Sequence, residues 1–524
     1  MSEPAQVKKI DDESWGYDYV RVRATGNVSY DSFNGDIEFN VNNNESERWI
    51  VPKNSYLSIK LRIIQTDETG TVGLLSPIVN TGVSKAAATL LSIPFISSNP
   101  AACLFTSVNN SIGDESISNN QNIAQCNTLY RTLYESKQEQ ESVNSTNPIK
   151  YMHMVSDSDT TDNKSTILND VYGSAPNTGY PDTLVNFTNR KLYAMENLMG
   201  FNKYNEIEIN TQCLAPMMYS DSLIPPNTPF SLRFTVDSNY HLNVISIAGS
   251  NVCSLPTGAG GAIPFVISKL SGATTFANAN ANNRNTIGVG IVDVNLWLYR
   301  IHAGNAVSIP REIYIKQFTS TLHAIAAGTH DEFNLDLKKN RRITHIACAF
   351  VQKKGSMKTT PTDFSSGYYI GAINGAVDAP LATAITEEIV YSNSPISQLS
   401  NLRIEYAGSV YPFQPYNYNF DYTSNAGVPN LSGGTYRSFM DYCNFSDGLR
   451  DRNGTLLTAD QYIIAPIILF KTFQNPDNDS NTLLLSVDFK QQVTGCNMIV
   501  VAFYDEVVSV NFDEFGKYTN FAVY

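Results

Sequence analysis

Strict two-residue alternation over Asn481 to Phe512 is the strongest constraint on what this chain can fold into. The segment reads NTLLLSVDFKQQVTGCNMIVVAFYDEVVSVNF. Leu483, Leu485, Val487 and Phe489 alternate with Leu484, Ser486, Asp488 and Lys490. Beyond a Thr494-Gly495 break, Ile499, Val501 and Phe503 alternate with Val500, Ala502 and Tyr504. Successive side chains of a strand point to opposite faces. The pattern therefore predicts two consecutive strands, the first with one solvated face and the second buried on both.

The same period recurs upstream. YVRVRAT and IEFNV alternate on either side of Gly26-Asn27 and Asn34-Gly35-Asp36, a hairpin signal. In YLSIKLRII, Leu57, Ile59, Leu61 and Ile63 share one face. Phe230, Leu232, Phe234 and Val236 form another alternating set, and so do Val292, Val294, Leu296 and Leu298. Helical spacing is rare: Ile123, Cys126, Leu129, Tyr130 and Leu133 define one amphipathic helix, YRSFMDYCNF suggests a second, and SKAAATLLSI a third, shorter one. Residues 141–200 and 353–395 read as long excursions, and 254–286 as a loop rich in Gly, Ala and Asn.

Element order repeats along the chain. The first half runs strand (Leu104 to Ile112, closed by a Gly turn), helix (Ile123 to Tyr134), strand (Ile209 to Met218), strand (Phe230 to Val236) and strand (Ile291 to Tyr299). The second half runs strand (Leu402 to Tyr406, closed by a Gly turn), helix (Tyr436 to Phe445), a strand containing Pro466, strand (Leu483 to Phe489) and strand (Met498 to Val510). With about eight strand candidates per half, the expected fold is all-β: two consecutive eight-stranded jelly-roll β-sandwiches with short helices and long loop insertions. Residues 1–15 read as a flexible arm, 16–304 as the first roll, 305–512 as the second and 513–524 as a C-terminal tail.

Composition agrees and excludes several function classes. Charged residues are 16% of the 524, against a usual ~25%. The polar surface comes from Asn, Ser and Thr, which favour turns and strands. A net charge of −13 argues against wrapping nucleic acid. Short basic pairs such as Lys8-Lys9, Lys338-Lys339, Arg341-Arg342 and Lys353-Lys354 read as solvated turn charges. Seven cysteines, with no C-x-x-C pair, read as buried thiols in a reducing compartment. The first residues carry no apolar leader, and no segment has the ~20 apolar residues of a spanning helix.

Three blocks carry a family resemblance. AACLFTSVNNSIGDESIS followed by NTLYRTLYES, NLRIEYAGSVYPFQPYNYNF, and YRSFMDYCNF through GTLLTADQYIIAPIILFKTF and NTLLLSVDFKQQ to MIVVAFYDEVVSV resemble, in order and spacing, the double jelly-roll major capsid proteins of the adenovirus-hexon-type lineage, in its virophage and polinton-like branch. The resemblance runs from about residue 16 to 512. It implies a homotrimer that forms a pseudo-hexameric capsomer in the icosahedral capsid of a double-stranded DNA virus. The implied partners are neighbouring capsomers, a penton protein and minor capsid proteins, with assembly inside the host cell. The arm and the aromatic tail (Phe512, Phe515, Phe521, Tyr524) become candidates for contacts between capsomers or at the inner face.

No catalytic, cofactor or metal residues are assigned, and the chain is not read as an enzyme. The histidines His153, His241, His302, His323, His330 and His345 show no i, i+4 pair; only convergence of His323, His330 and His345 in space could make a metal site. Asp157-Ser158-Asp159 with Asp162-Asn163 lacks the Gly and Glu of a calcium loop. Gly258 to Gly261 lacks the Lys-Ser/Thr of a phosphate loop. Glu387-Glu388 and Asp505-Glu506 are adjacent, so on strands they point apart, against glycosidase chemistry. The alternative is a jelly-roll spike or fibre that binds host glycans through the aromatic run Tyr411 to Tyr422.

Overall fold

Sixteen strands make two sandwiches of identical connectivity. A computed structural model of the chain describes residues 14–26, 35–42, 48–66, 95–96, 100–113, 115–134, 205–212, 214–220, 222–246, 252–256, 262–271, 275–276, 285–303, 312–336, 343–352, 399–406, 408–420, 433–445, 462, 466–471, 482–493, 496–512 and 518–523. Strands are numbered in chain order: β1 Ser14–Arg23, β2 Asp36–Val41, β3 Arg48–Ile50, β4 Tyr56–Thr66, β5 Phe95–Ile96, β6 Phe105–Ile112, β7 Glu115–Gln121, β8 Asn205–Gln212, β9 Phe230–Val236, β10 Ile245–Ser246, β11 Val252–Pro256, β12 Ala262–Ser271, β13 Thr275–Phe276 and β14 Asn285–Ala303. The second half contributes β15 Glu312–Ala324, β16 Gly328–Asp336, β17 Ile343–Gln352, β18 Leu399–Tyr406, β19 Ser409–Tyr411, β20 Ile468–Lys471, β21 Thr482–Val493, β22 Cys496–Phe512 and β23 Tyr518–Val523. The helices are α1 Ile123–Tyr134, α2 Tyr240–Val244 and α3 Gly434–Phe445.

The principal strands of roll one are β1, β2, β4, β6, β7, β8, β9 and β14. One sheet orders them β1-β14-β4-β8 and the facing sheet β2-β9-β6-β7. Roll two repeats this with β15-β22-β17-β20 facing β16-β21-β18-β19. In both, the order is first-eighth-third-sixth against second-seventh-fourth-fifth, and every one of these pairings is antiparallel. This is a double jelly roll. Roll one is elaborated: β12 adds parallel to the early part of β14, β11 and β13 pair with β12, β3 pairs with the end of β14, and β5 with β10.

The alternation at 481–512 folds as its chemistry dictates. In β21, Leu483, Leu485, Val487 and Phe489 are buried, while Leu484, Ser486 and Asp488 are half-buried and Lys490 is exposed. In β22, every residue from Met498 to Tyr504 is buried, because β15 and β17 flank it and both of its faces are covered. The two strands follow one another in sequence yet belong to opposite sheets of roll two. α1 matches its spacing: Ile123, Cys126, Leu129, Tyr130 and Leu133 are all buried.

Several expectations are corrected. β1 and β2 are not a hairpin: β1 pairs with β14 and β2 with β9, and among the described residues an isolated bridge, Thr25 to Glu38, is their backbone pairing. The Gly26 and Gly35 positions, at φ +107° and +118°, turn the chain from one sheet to the other instead. Residues 254–286 hold strands β11, β12 and β13 rather than only loop. Val292 does not share the buried face with Val294, Leu296 and Leu298. A bulge between Ile291 and Asp293 shifts the phase, so Val289 and Ile291 take that face and Val292 is half-buried. The strand expected from Ile209 to Met218 ends at Gln212, and Pro216–Tyr219 is a 3-10 turn. In the segment read as a tail, Tyr518–Val523 pairs with the end of β22. The excursions at 141–200 and 353–395, SKAAATLLSI, the Asp157 and Gly258 segments and Glu387-Glu388 lie outside the described residues.

Candidate functional site

Among the described residues, polar and aromatic side chains gather at the seam between the two rolls. β7 ends at Gln121, and Asn122 takes a left-handed conformation (φ +54°) that turns the chain directly into α1. That corner lies against β15, the first strand of roll two. The buried Asn120 Nδ2 donates to the Phe318 carbonyl at 2.6 Å, Asn122 Nδ2 to Ser320 Oγ at 3.2 Å, and Ser320 Oγ to the Gln121 carbonyl at 2.9 Å. Beyond the 3-10 turn, Ser220 Oγ donates to the Tyr314 carbonyl and the Tyr314 amide donates to Ser222 Oγ at 3.3 Å. Five hydrogen bonds thus stitch two stretches of roll one to a single strand of roll two.

Apolar packing crosses the same seam in both directions. Cys126, Leu129, Tyr130, Leu133 and Tyr219 of roll one belong to the core of roll two, while Ile313, Ile315 and Val508 belong to the core of roll one. Tyr130 stacks on Tyr219 with centroids 4.0 Å apart, and Asn127 Nδ2 donates to the Tyr219 hydroxyl. Tyr134 meets Phe445 edge-on at 5.3 Å, and Phe445 in turn meets His345 at 4.2 Å. Burial pushes the Cys126 thiol up to about 12, so the sulfur is a neutral packing group. It also pushes His345 down to about 4, with the adjacent Lys471 adding to the effect. The rolls are therefore two sandwiches with interlocked cores.

The histidines singled out in the sequence form separate local contacts. His323 Nε2, near the end of β15, lies 3.2 Å from Asp331 on β16. His330 Nδ1 lies 2.7 Å from Asp488, whose carboxylate raises its pKa. His345 packs against Phe445. Among the described residues, no group of three or more His, Cys, Asp or Glu is placed to hold a metal ion. No helix among them is long and apolar enough to cross a membrane.

The aromatic run from Tyr411 is structural through its described part. Tyr418 and Phe420 are buried and stack at 5.5 Å beside Tyr462, which also stacks on Tyr442. Tyr416 donates to Asp441 at 2.8 Å, and burial raises the Asp441 carboxyl. Thr435 Oγ1 donates to the Asn419 carbonyl and accepts from its amide, at 2.8 and 2.9 Å. Among the described rings of the run, Phe413 is the one fully presented, at 90% exposure. Sequence reading missed this role, although the helix spacing of Phe439, Tyr442 and Cys443 hinted at a partner for those rings.

Exposed apolar side chains concentrate on five elements. Among the described residues, the large exposed ones are Tyr17 and Tyr19 on β1, Tyr134 on α1, Tyr314 and Leu322 on β15, and Val410, Phe413 and Tyr436 on or beside β19 and α3. On roll one they continue into an aromatic ladder across three strands: Tyr17 stacks on Tyr299, Tyr19 meets both Tyr299 and Tyr56, and Tyr56 stacks on Trp297. Arg300 holds Asp18 at 2.9 Å beside this ladder, with Arg48 at 3.6 Å, and the Arg300 hydrogen bond lowers the Asp18 carboxyl.

No protein-family model and no curated protein matches the chain. Solved structures do resemble it. A chain of the Sputnik virophage, seen by cryo-electron microscopy, aligns over 98% of this chain and 89% of its own length, at 10% identity and a TM-score of 0.48. The Faustovirus major capsid protein aligns over 94% and 90%, at 10% identity and a TM-score of 0.44. The mavirus major capsid protein aligns over 97% and 90%, at 9% identity and a TM-score of 0.43.

Proposed function

We propose that this chain is the major capsid protein of an icosahedral double-stranded DNA virus, with three copies forming a pseudo-hexameric capsomer. The observation that carries this reading is the pair of rolls with the same strand order, locked by interlocked cores into one rigid block. Three such blocks present six similar sandwiches, the count a hexagonal tile needs. The jelly-roll sandwich is one of the all-β architectures that manage exposed sheet edges, which suits a subunit that must pack densely without aggregating. Residues 16–304 and 305–512 serve as the two structural units. The partners in this reading are neighbouring capsomers, a penton protein and minor capsid proteins, in the virion capsid and after assembly in the host cell. The role is structural, with no catalytic residue assigned.

The glycan-binding spike loses its carrier, because the described rings of the Tyr411 run, Phe413 apart, are engaged within roll two. The test is the mass of the purified protein in solution, followed by negative-stain imaging. A stable trimer with a hexagonal outline is expected. A monomer that binds glycans and does not assemble overturns the reading.

A further inference from the structure

β15 is an edge strand. Among the described residues β22 is its one strand partner, in an unbroken register from Glu312 to Ala324. In an antiparallel ladder alternate residues turn their backbone groups toward the partner, and the others turn theirs away. The Tyr314 amide donates to Ser222 Oγ, and the Tyr314 and Phe318 carbonyls accept from Ser220 Oγ and Asn120 Nδ2. Residues 314, 316, 318, 320 and 322 therefore turn their backbone groups to the open edge. Ser320 holds the Gln121 carbonyl there through its hydroxyl. No strand of roll one among the described residues pairs with this edge. Side chains close it, each giving a single hydrogen bond where a strand would give a ladder.

We propose that Asn120, Ser220 and Ser222 form an autoinhibitory cap, which keeps the open edge of β15 from pairing with β15 of a second copy of this chain. Unpaired N–H and C=O groups along an edge are a template for another strand. β15 is 13 residues long and reads EIYIKQFTSTLHA, rich in the β-branched and aromatic residues that favour pairing. Two copies would meet antiparallel through the same edge, about a twofold axis. Centred on Phe318, that pairing sets Tyr314 opposite Leu322 and Lys316 opposite Ser320, with no like charges facing each other. Tyr314 and Leu322 are the two large apolar side chains left exposed on β15, at 39% and 38%. The cap acts within one subunit, so the inference does not depend on the capsid reading.

The test uses the full chain carrying Asn120→Ala, Ser220→Ala and Ser222→Ala together. Losing three hydrogen bonds raises the fraction with an open edge on the order of 100-fold. Light scattering across a dilution series is expected to show species of about twice the mass of the unaltered protein, growing with concentration. Adding Lys316→Pro removes an N–H from the open edge and leaves the ladder to β22 intact, so the mass is expected to return to that of the unaltered protein. A triple variant that keeps the unaltered mass at every concentration overturns the proposal. Association that persists with Lys316→Pro also overturns it, because the added contact then lies elsewhere than the β15 edge. If the triple variant does not fold, Ser222→Ala alone, which loses one bond, is the test. A smaller rise in mass, again cancelled by Lys316→Pro, is expected, and its absence overturns the proposal.

Discussion

Asn120 Nδ2 donates to the carbonyl of Phe318, 2.6 Å away and 198 residues further along the chain. Both residues are buried, and Asn120 Oδ1 faces the Asn110 amide at 3.5 Å. Asn120→Ala removes the bond across the seam and costs about 2 kcal/mol. Asn120→Asp costs more, since a buried carboxylate oxygen then faces the Phe318 carbonyl oxygen. Denaturant midpoints at one protein concentration check the order: unaltered, then Ala, then Asp. Equal midpoints for Ala and Asp would contradict the geometry.

The two closing strands of roll two respond differently to charge. Phe489→Asp in β21 and Val501→Asp in β22 each bury an unpaired carboxylate and cost more than about 4 kcal/mol. Because β22 is covered on both faces, Val500→Asp is equally severe. Gln491→Asp, exposed on β21, stays within about 0.5 kcal/mol. Yield of soluble, folded protein ranks the four. Wild-type yield from Val500→Asp would show that one face of β22 is open.

Adjacent glycines at the start of α3 make opposite demands. A Cβ on Gly434 would lie 1.8 Å from the Tyr416 carbonyl oxygen and 2.3 Å from its carbon. Gly434→Ala therefore pushes the helix off the 416–420 segment and breaks the Thr435 bonds to Asn419. Gly433 sits at φ +61° with nothing within 4 Å, so Gly433→Asn, a residue that tolerates this conformation, is mild. Thermal midpoints are expected to fall by more than about 5 °C for the first and by less than about 2 °C for the second.

His345 makes the fold acid-sensitive. Burial, helped by Lys471 directly across from it on β20, holds its pKa near 4, below the unfolded value of 6.5. The unfolded chain therefore binds the proton first. Stability from this group is complete above pH 6.5 and declines as pH falls toward about 4, by roughly 1–2 kcal/mol in total, since the ring keeps part of its solvent screening. His345→Phe flattens that part of the stability–pH profile. An unchanged acid limb in this variant would place the sensitivity elsewhere.

Local chemistry made much of this fold readable. The faces of β9 and β21, the whole of α1 and the Gly113 and Gly408 turns follow from periods and left-handed positions within a few residues of one another. What stayed hidden depends on distant partners. The β1–β2 turn looks like a hairpin until Tyr19 is seen opposite Tyr299. The bulge at Val292 appears only when Leu61 and Lys60 are set against β14. The seam was illegible for the same reason. Asn120, Ser220 and Ser320 are ordinary polar residues whose importance comes from segments that the sequence places far away. The tight approach of Gly434 to Tyr416 leaves no mark in composition or period.

The interlocking of the cores also sets a timetable. β1 must wait for β14, so Tyr19 leaves the ribosome ~280 residues ahead of its partner, roughly 15–55 s at typical elongation rates. Roll one is still incomplete when β14 emerges, because Val508 is part of its core. Roll two closes only with β22, the strand that also carries Val508. Neither half is finished until β22 has been made. A chain that stops before β22 lacks a central strand of one roll and a core residue of the other, so neither sandwich can close without it.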